Sequence, residues 1–198
     1  MKTVVFVSGP SGAGKSTMRK VILNTSGHPN YKHIAGVEID DIYRFLDPEF
    51  RAADYSEVWK VARESTGHLV KGMLKGSVEV VFIFGNTIFS KEQVEEIQKH
   101  ILLPQKITYY HITLTPSRDT LNERLVKRES KVPDWFGYQL SERQPFLEAE
   151  WTNVIDNSKQ TPEETVAAIY EVLENGKTMK RIRNDNRVKR TLRKKTDR

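Results

Sequence analysis

The sequence predicts an α/β fold built on a parallel sheet. Three observations carry that expectation. Short β-branched runs alternate with longer segments of helical spacing along most of the 198 residues. Residues 78–84 end in five consecutive apolar side chains, Val80 to Phe84, the pattern of a central strand buried on both faces. The length is that of one domain, able to bury a core without covalent staples.

Each element follows from local signals. Residues 2–7 form a buried strand, stopped by Ser8-Gly9-Pro10. A helix runs from about 14 to 24, and a short second strand covers 36–40. Residues 54–75 are helical, with Val58, Val61, Ala62, Leu69, Val70 and Leu74 near helical spacing. After the strand at 78–84, Ser90 and Gln93 form a capping box for a helix to about 101. Residues 107–114 are a strand, and Thr115-Pro116 opens the next helix with proline in its first position. Residues 131–138 are a Pro/Gly/aromatic loop, 140–150 a helix, and 153–156 a last short strand. Thr161-Pro162-Glu163-Glu164 starts a final helix that stops near Gly176.

Composition excludes several classes. The chain has no cysteine, so disulfides, thiol nucleophiles, iron–sulfur clusters and Cys-ligated zinc are ruled out. None of the five histidines has metal-ligand spacing to another histidine or acid. No apolar run approaches the ~20 residues of a spanning helix. The apolar run near the N-terminus stops at Gly9, too short for a signal core. A cytoplasmic protein without membrane association is expected. The net charge of +6 is uneven: residues 177–198 hold eleven Lys/Arg and two acids, so the rest of the chain is slightly acidic. We divide the chain into a domain at 1–176, with a lid at about 129–145, and a basic tail at 177–198, extended or helical. Two readings of the tail stay open, a solvated segment and a nucleic-acid contact.

Gly9-Pro10-Ser11-Gly12-Ala13-Gly14-Lys15-Ser16 fits G-x-x-x-x-G-K-[ST] without gaps, between a strand and a helix. Glycines let the backbone turn so that successive N–H groups face phosphate oxygens, and the helix adds its positive end. Gly9, Ser11, Gly12, Ala13, Gly14, Lys15, Ser16 and Thr17 are therefore the expected ATP contacts. Lys15 reaches the β/γ-phosphates and the Ser16 hydroxyl binds Mg²⁺. The expected fold is that of a P-loop NTPase, three layers around a five-stranded parallel sheet with a small helical lid and the basic tail.

After the second strand comes Glu38-Ile39-Asp40-Asp41-Ile42-Tyr43-Arg44. Carboxylates at that sheet edge sit where ligands bind, and one of them near the γ-phosphate can take a proton from an acceptor hydroxyl. An arginine one turn on can hold an anionic part of the acceptor.

The phosphate loop together with Asp41-x-x-Arg44 resembles the small P-loop kinases typified by polynucleotide 5′-hydroxyl kinases, zeta toxins and chloramphenicol phosphotransferases. The resemblance spans about residues 1–175. It implies Asp41 as the base, Arg44 as an acceptor contact and Asp40 as an aid to Mg²⁺ through water. The third strand departs from motor ATPases: Phe84-Gly85-Asn86-Thr87 carries no Walker-B acid. Asn86 either touches the acceptor or caps the helix near Ser90. Arg124 and Arg128, four apart on one helix face, precede the lid, and in the resembling kinases such arginines stabilise the moving phosphoryl group. Arg143 is a further inward-pointing candidate. Trp135, Phe136 and Tyr138 either stack on a substrate ring or fill the lid's own core. The resemblance also implies an adenine contact near 157–159.

The expected activity is ATP-dependent, Mg²⁺-dependent phosphorylation of a hydroxyl, on a nucleic-acid 5′ end or a nucleotide-like small molecule. A guanylate-kinase-like transfer to a nucleoside monophosphate is the alternative, because Gly-Pro-Ser-Gly-x-Gly-Lys is similar to the loop of those enzymes. A nucleotide-gated RNA- or partner-binding ATPase is the alternative from another class.

Overall fold

The computed structural model describes residues 1–25, 28, 30–147 and 149–179. The basic segment from residue 180 onward lies outside the described residues.

Five strands form a parallel sheet in the order β2-β3-β1-β4-β5: β1 (Lys2–Ser8), β2 (Ile34–Glu38), β3 (Val80–Phe84), β4 (Ile107–Leu114) and β5 (Asn153–Ile155). A two-residue strand, β6 (Thr178–Met179), pairs antiparallel with β4 at Tyr109 and Tyr110. Residues 178 and 179, assigned from the sequence to the tail, are thus part of the sheet. β1 and β3 lie at the centre, and the five residues of β3 are all buried.

Alternation along β1 splits the core in two. Val5 and Val7 face one side with Met18, Ile22, Leu121, Leu125, Ile169 and Leu173. Those residues come from α1 (Lys15–Asn24), α6 (Arg118–Glu129) and α8 (Pro162–Asn175). Val4 and Phe6 face the other side with Ala62, Val70, Leu74, Val94 and Ile97, from α4 (Tyr55–Lys75) and α5 (Lys91–Gln98). The result is three layers.

Two short helices follow β2 that the sequence did not announce, α2 (Ile39–Phe45) and α3 (Pro48–Ala53). Residues 39–40, expected to end the second strand, instead open α2. The acids Asp40 and Asp41 then sit in a helix first turn, where the helix dipole favours them. Helix α3 begins at Pro48, with the Asp47 carboxylate accepting from the Phe50 N–H at 3.0 Å. The capping boxes at Ser90/Gln93 and Thr161/Glu164 are both formed. Helix α6 is capped by the Ser117 hydroxyl, accepting from the Thr120 N–H, so Pro116 precedes the helix rather than opening it. The expected helix at 140–150 is displaced toward the N-terminus: α7 (Phe136–Arg143) takes in the aromatic loop and ends at Gln144-Pro145, where a 3₁₀ turn takes over.

His111 ties three segments together in the core. The Ile88 carbonyl can only accept, so Nε2–H donates to it at 2.7 Å. Nδ1 then accepts from the Thr152 hydroxyl at 2.7 Å, and Thr113 donates to Thr152 at 2.8 Å. Burial pushes this imidazole's pKa down to about 4.

Candidate active site

The loop between β1 and α1 turns on glycines held at positive φ. Gly12 and Gly14 sit at φ +84° and +95°, and a Cβ on Gly9 would come within 2.9 Å of the Leu114 carbonyl oxygen. Lys15 opens α1 and is buried. Its ammonium donates to the Gly9 and Pro10 carbonyls at 2.8 and 2.9 Å. Burial pushes its pKa down to about 7, helped by the positive charge of Arg143 and opposed by Asp40 and Glu38. A lysine desolvated to that degree, and held among the described residues by carbonyls, is poised for an anion.

The carboxylates come from β2 and the start of α2. The Ser16 hydroxyl donates to Glu38 Oε1 at 2.6 Å, and Arg19 Nε lies 3.4 Å from Glu38 Oε2. Glu38 is the last residue of β2, one strand beyond the position where a Walker-B acid would stand. β3 carries no acid at its end, and the side chain that reaches Ser16 comes from the neighbouring strand instead. Glu38 has no role in the sequence-based expectation; the spacing Glu38-x-Asp40 across a strand–helix junction is the signal that could have found it.

Asp40 and Asp41 part ways. Asp40 lines the main cavity, together with Lys15, Ser16, Glu38 and Arg44. Its pKa is raised, chiefly by burial, with Lys15 opposing and Glu38 adding to the rise. Asp41 is not among the residues lining that cavity. Its carboxylate is clamped between Arg19 Nη1 at 3.0 Å and Arg44 Nη1 at 2.8 Å. The cavity measures about 860 Å³, room for a nucleotide and part of an acceptor.

Opposite the carboxylates, Arg124 and Arg128 also line the cavity. Arg124 bridges the Gly12 carbonyl at 3.4 Å and the Asn157 carbonyl at 3.1 Å. The Asn157 amide in turn donates to the Ala13 carbonyl at 3.0 Å, so the last strand's turn braces the phosphate loop. Arg128 is ion-paired with Glu129 and exposed. The far end of the cavity is formed by Met18, Asn157, Gln160, Pro162 and Thr165. Lys159, part of the expected adenine contact, is not among the lining residues.

Helix α7 lies against the phosphate loop. The Ser11 N–H donates to Gln139 Oε1 at 2.8 Å, a contact with no sequence signal. Buried Arg143 donates to the Asn86 carbonyl and to the Gln139 carbonyl at 3.3 Å, with its guanidinium 4.6 Å from the Phe89 ring. Asn86 lines the main cavity, but Arg143 lines a neighbouring one. The aromatics divide: Phe136 is buried in the core, while Trp135 and Tyr138 are exposed.

Thus Lys15, Ser16, Thr17, Arg44, Arg124, Arg128, Asn86 and Asp40 line one cavity, while Asp41 and Arg143 are not among its lining residues and reach it through Arg44 and Asn86. Two carboxylates and a hydroxyl on one wall face a cationic wall across a phosphate loop. Such a site can hold a polyphosphate, place a metal on its oxygens and take a proton.

No family model matches the chain. It is 28% identical over 145 residues to the guanylate kinase of Clostridium perfringens (strain 13 / Type A), a match covering 66% of this chain and 63% of that protein. The chain thus matches less than two thirds of those relatives' length. Among solved structures, a sugar kinase from Janibacter sp. HTCC2649 superposes with a TM-score of 0.63 at 19% identity, covering 88% of this chain and 95% of the other. The tunicamycin resistance protein of Deinococcus radiodurans does so at 0.61 and 17%, covering 87% and 96%. The chain has the fold of the P-loop kinases.

Proposed function

We propose that this protein is an ATP-dependent kinase acting on a hydroxyl of a nucleotide-like acceptor, a small molecule or a nucleic-acid 5′ end. The carrying observation is the sharing of one cavity by buried Lys15, held by carbonyls, and Asp40, whose pKa burial raises. The similarity to a guanylate kinase supports an acceptor of nucleotide type.

In this reading the phosphate-loop N–H groups and Lys15 hold the β- and γ-phosphates, and Arg124 and Arg128 face the charge that moves. Arg44 and Asn86 contact the acceptor. Asp40, rather than Asp41, takes the proton from the acceptor hydroxyl as that oxygen bonds to the γ-phosphorus and the β–γ bridge oxygen departs with the diphosphate. Asp41, clamped by Arg19 and Arg44, positions the arginine.

The oxygen donors of Ser16 and Glu38 fit Mg²⁺, which takes one or two carboxylates and completes its shell with phosphate oxygens, leaving Asp40 to serve as the base. Among the described residues no cluster of three or more His, Cys, Asp or Glu suggests a metal held by protein alone. When bound, the ion neutralises charge on the transferring phosphoryl group.

The test is label transfer from γ-labelled ATP·Mg²⁺ to 5′-hydroxyl oligonucleotides, nucleosides, nucleoside monophosphates and sugars, with Lys15→Ala as control. Label on one acceptor class, lost in Lys15→Ala, is expected. Label appearing only as free phosphate would refute the reading. The guanylate-kinase similarity favours one second reading, transfer to a nucleoside monophosphate. A phosphate acceptor needs no base, so Asp40→Asn would leave that transfer nearly intact.

A further inference from the structure

A second cavity of about 490 Å³ lies between the flank of the phosphate loop, the start of α6 and the inner face of α7. Its body is apolar, formed by Pro10, Leu121, Leu140 and Leu147, and its charge comes from Arg118 and Arg143. Among the described residues, no carboxylate lines it.

Three features point to an anion. Arg143 is buried, makes no ion pair within 4 Å among the described residues although the neighbouring Glu142 carboxylate favours its charge, and its Nε is enclosed without a hydrogen-bond partner. Arg118 holds the first position of the twelve-residue helix α6, where its charge opposes the helix dipole, and no ion pair relieves it among the described residues. The positive N-terminus of α6 adds to the same field. A buried cation and a cation at the wrong helix end both cost stability, and a bound anion offsets both.

We propose that this cavity is an effector site for a small organic anion: a carboxylate, sulfonate or phosphate carried on an apolar body. The anion pairs with Arg118 and Arg143 while the body packs on the leucines and prolines. Helix α7 transmits occupancy. Gln139, one turn before Arg143, accepts the Ser11 N–H, and Arg143 holds the Asn86 carbonyl. An anion fixing α7 therefore changes the phosphate loop's affinity for nucleotide. This coupling, unlike the binding itself, rests on the nucleotide reading proposed above.

The probe is 8-anilinonaphthalene-1-sulfonate, a sulfonate on an aromatic body that fluoresces in dry sites. It is titrated into the full chain with and without saturating ATP·Mg²⁺. Arg118→Glu, at an exposed residue, and Leu147→Gln, at a half-buried one, should each weaken binding at least fivefold. ATP should shift the dye's Kd by a factor that saturates. Unchanged affinity in both cavity variants overturns the site. Full competitive displacement by ATP does so too, by placing the dye in the nucleotide cavity. A coupling factor of one overturns the effector role. Absence of any ATP binding defeats the kinase reading alone, and the two cavity variants still decide the second site.

Discussion

Replacing Lys15 by methionine should make the nucleotide-free protein more stable while removing nucleotide binding. Its ammonium is buried, with a pKa of about 7 against an ordinary 10.5. At 1.36 kcal/mol per pH unit, keeping that charge in the fold at neutral pH costs about 4–5 kcal/mol. The two carbonyl hydrogen bonds lost with it return about 1 kcal/mol each. Methionine has nearly the same length and fills the space without charge. The net expectation is about 2 kcal/mol of added stability at pH 7, roughly 1 M in urea midpoint. The sign can be checked by pH. A folded pKa below the unfolded one means that the unfolded chain binds more protons between pH 7 and 10.5. Wild-type stability should therefore rise from pH 7 toward pH 9, and Lys15→Met should lack that rise. Urea unfolding at pH 7, 8 and 9 measures both. A variant less stable than wild type, with a pH slope unchanged, would refute the assignment of Lys15 as a desolvated cation waiting for an anion.

Three other outcomes follow from the same structure. Burial holds His111 at about 4, so the unfolded chain binds the extra proton between pH 4 and 6.5; stability should fall by up to about 3 kcal/mol on acidification through that window, and urea midpoints for wild type and His111→Gln should diverge there. Gly67 lies within α4 where a Cβ would meet the Ile97 carbonyl at 2.6 Å and His100 at 2.7 Å, so Gly67→Ala should destabilise by about 1–3 kcal/mol despite its better helix propensity, read by thermal unfolding. Bound phosphates should return the proton to Lys15, so ATP affinity should weaken as pH rises from 7 to 9, by up to tenfold per unit; calorimetry in buffers of different ionisation enthalpy should show proton uptake on binding.

The parts of this molecule that a local rule governs were readable in one dimension. The glycine pattern from Gly9 to Gly14 encodes its own backbone, and the Ser90 and Thr161 capping boxes close within four residues. The apolar run of β3 needs no partner to announce burial. The site was less legible where it depends on which way a side chain faces. Asp40 and Asp41 are chemically alike and adjacent. Only the helical turn of α2, which aims one at Lys15 and the other at Arg19, separates them. Glu38 could be given its place only once β2 was known to lie one strand out from β3 with its end beside Ser16. Gln139 and Arg143 act across more than fifty residues of chain on the phosphate loop and on Asn86, and no periodicity carries such a contact. The aromatics 135, 136 and 138 suggested a loop because glycine and proline surround them; the burial of Phe136 makes the segment helical instead.

In the proposed mechanism the two adjacent aspartates of α2 have different tasks. Single-turnover phosphoryl transfer from ATP·Mg²⁺ to the best hydroxyl acceptor should be measured for Asp40→Asn and Asp41→Asn, with binding of ATP checked in each. Loss of the cavity-facing carboxylate should slow transfer at least 10²-fold with ATP affinity little changed. Loss of the clamped carboxylate should cost less than about tenfold, through looser placement of Arg44. Transfer that survives Asp40→Asn while failing in Asp41→Asn would contradict the geometry proposed for this site.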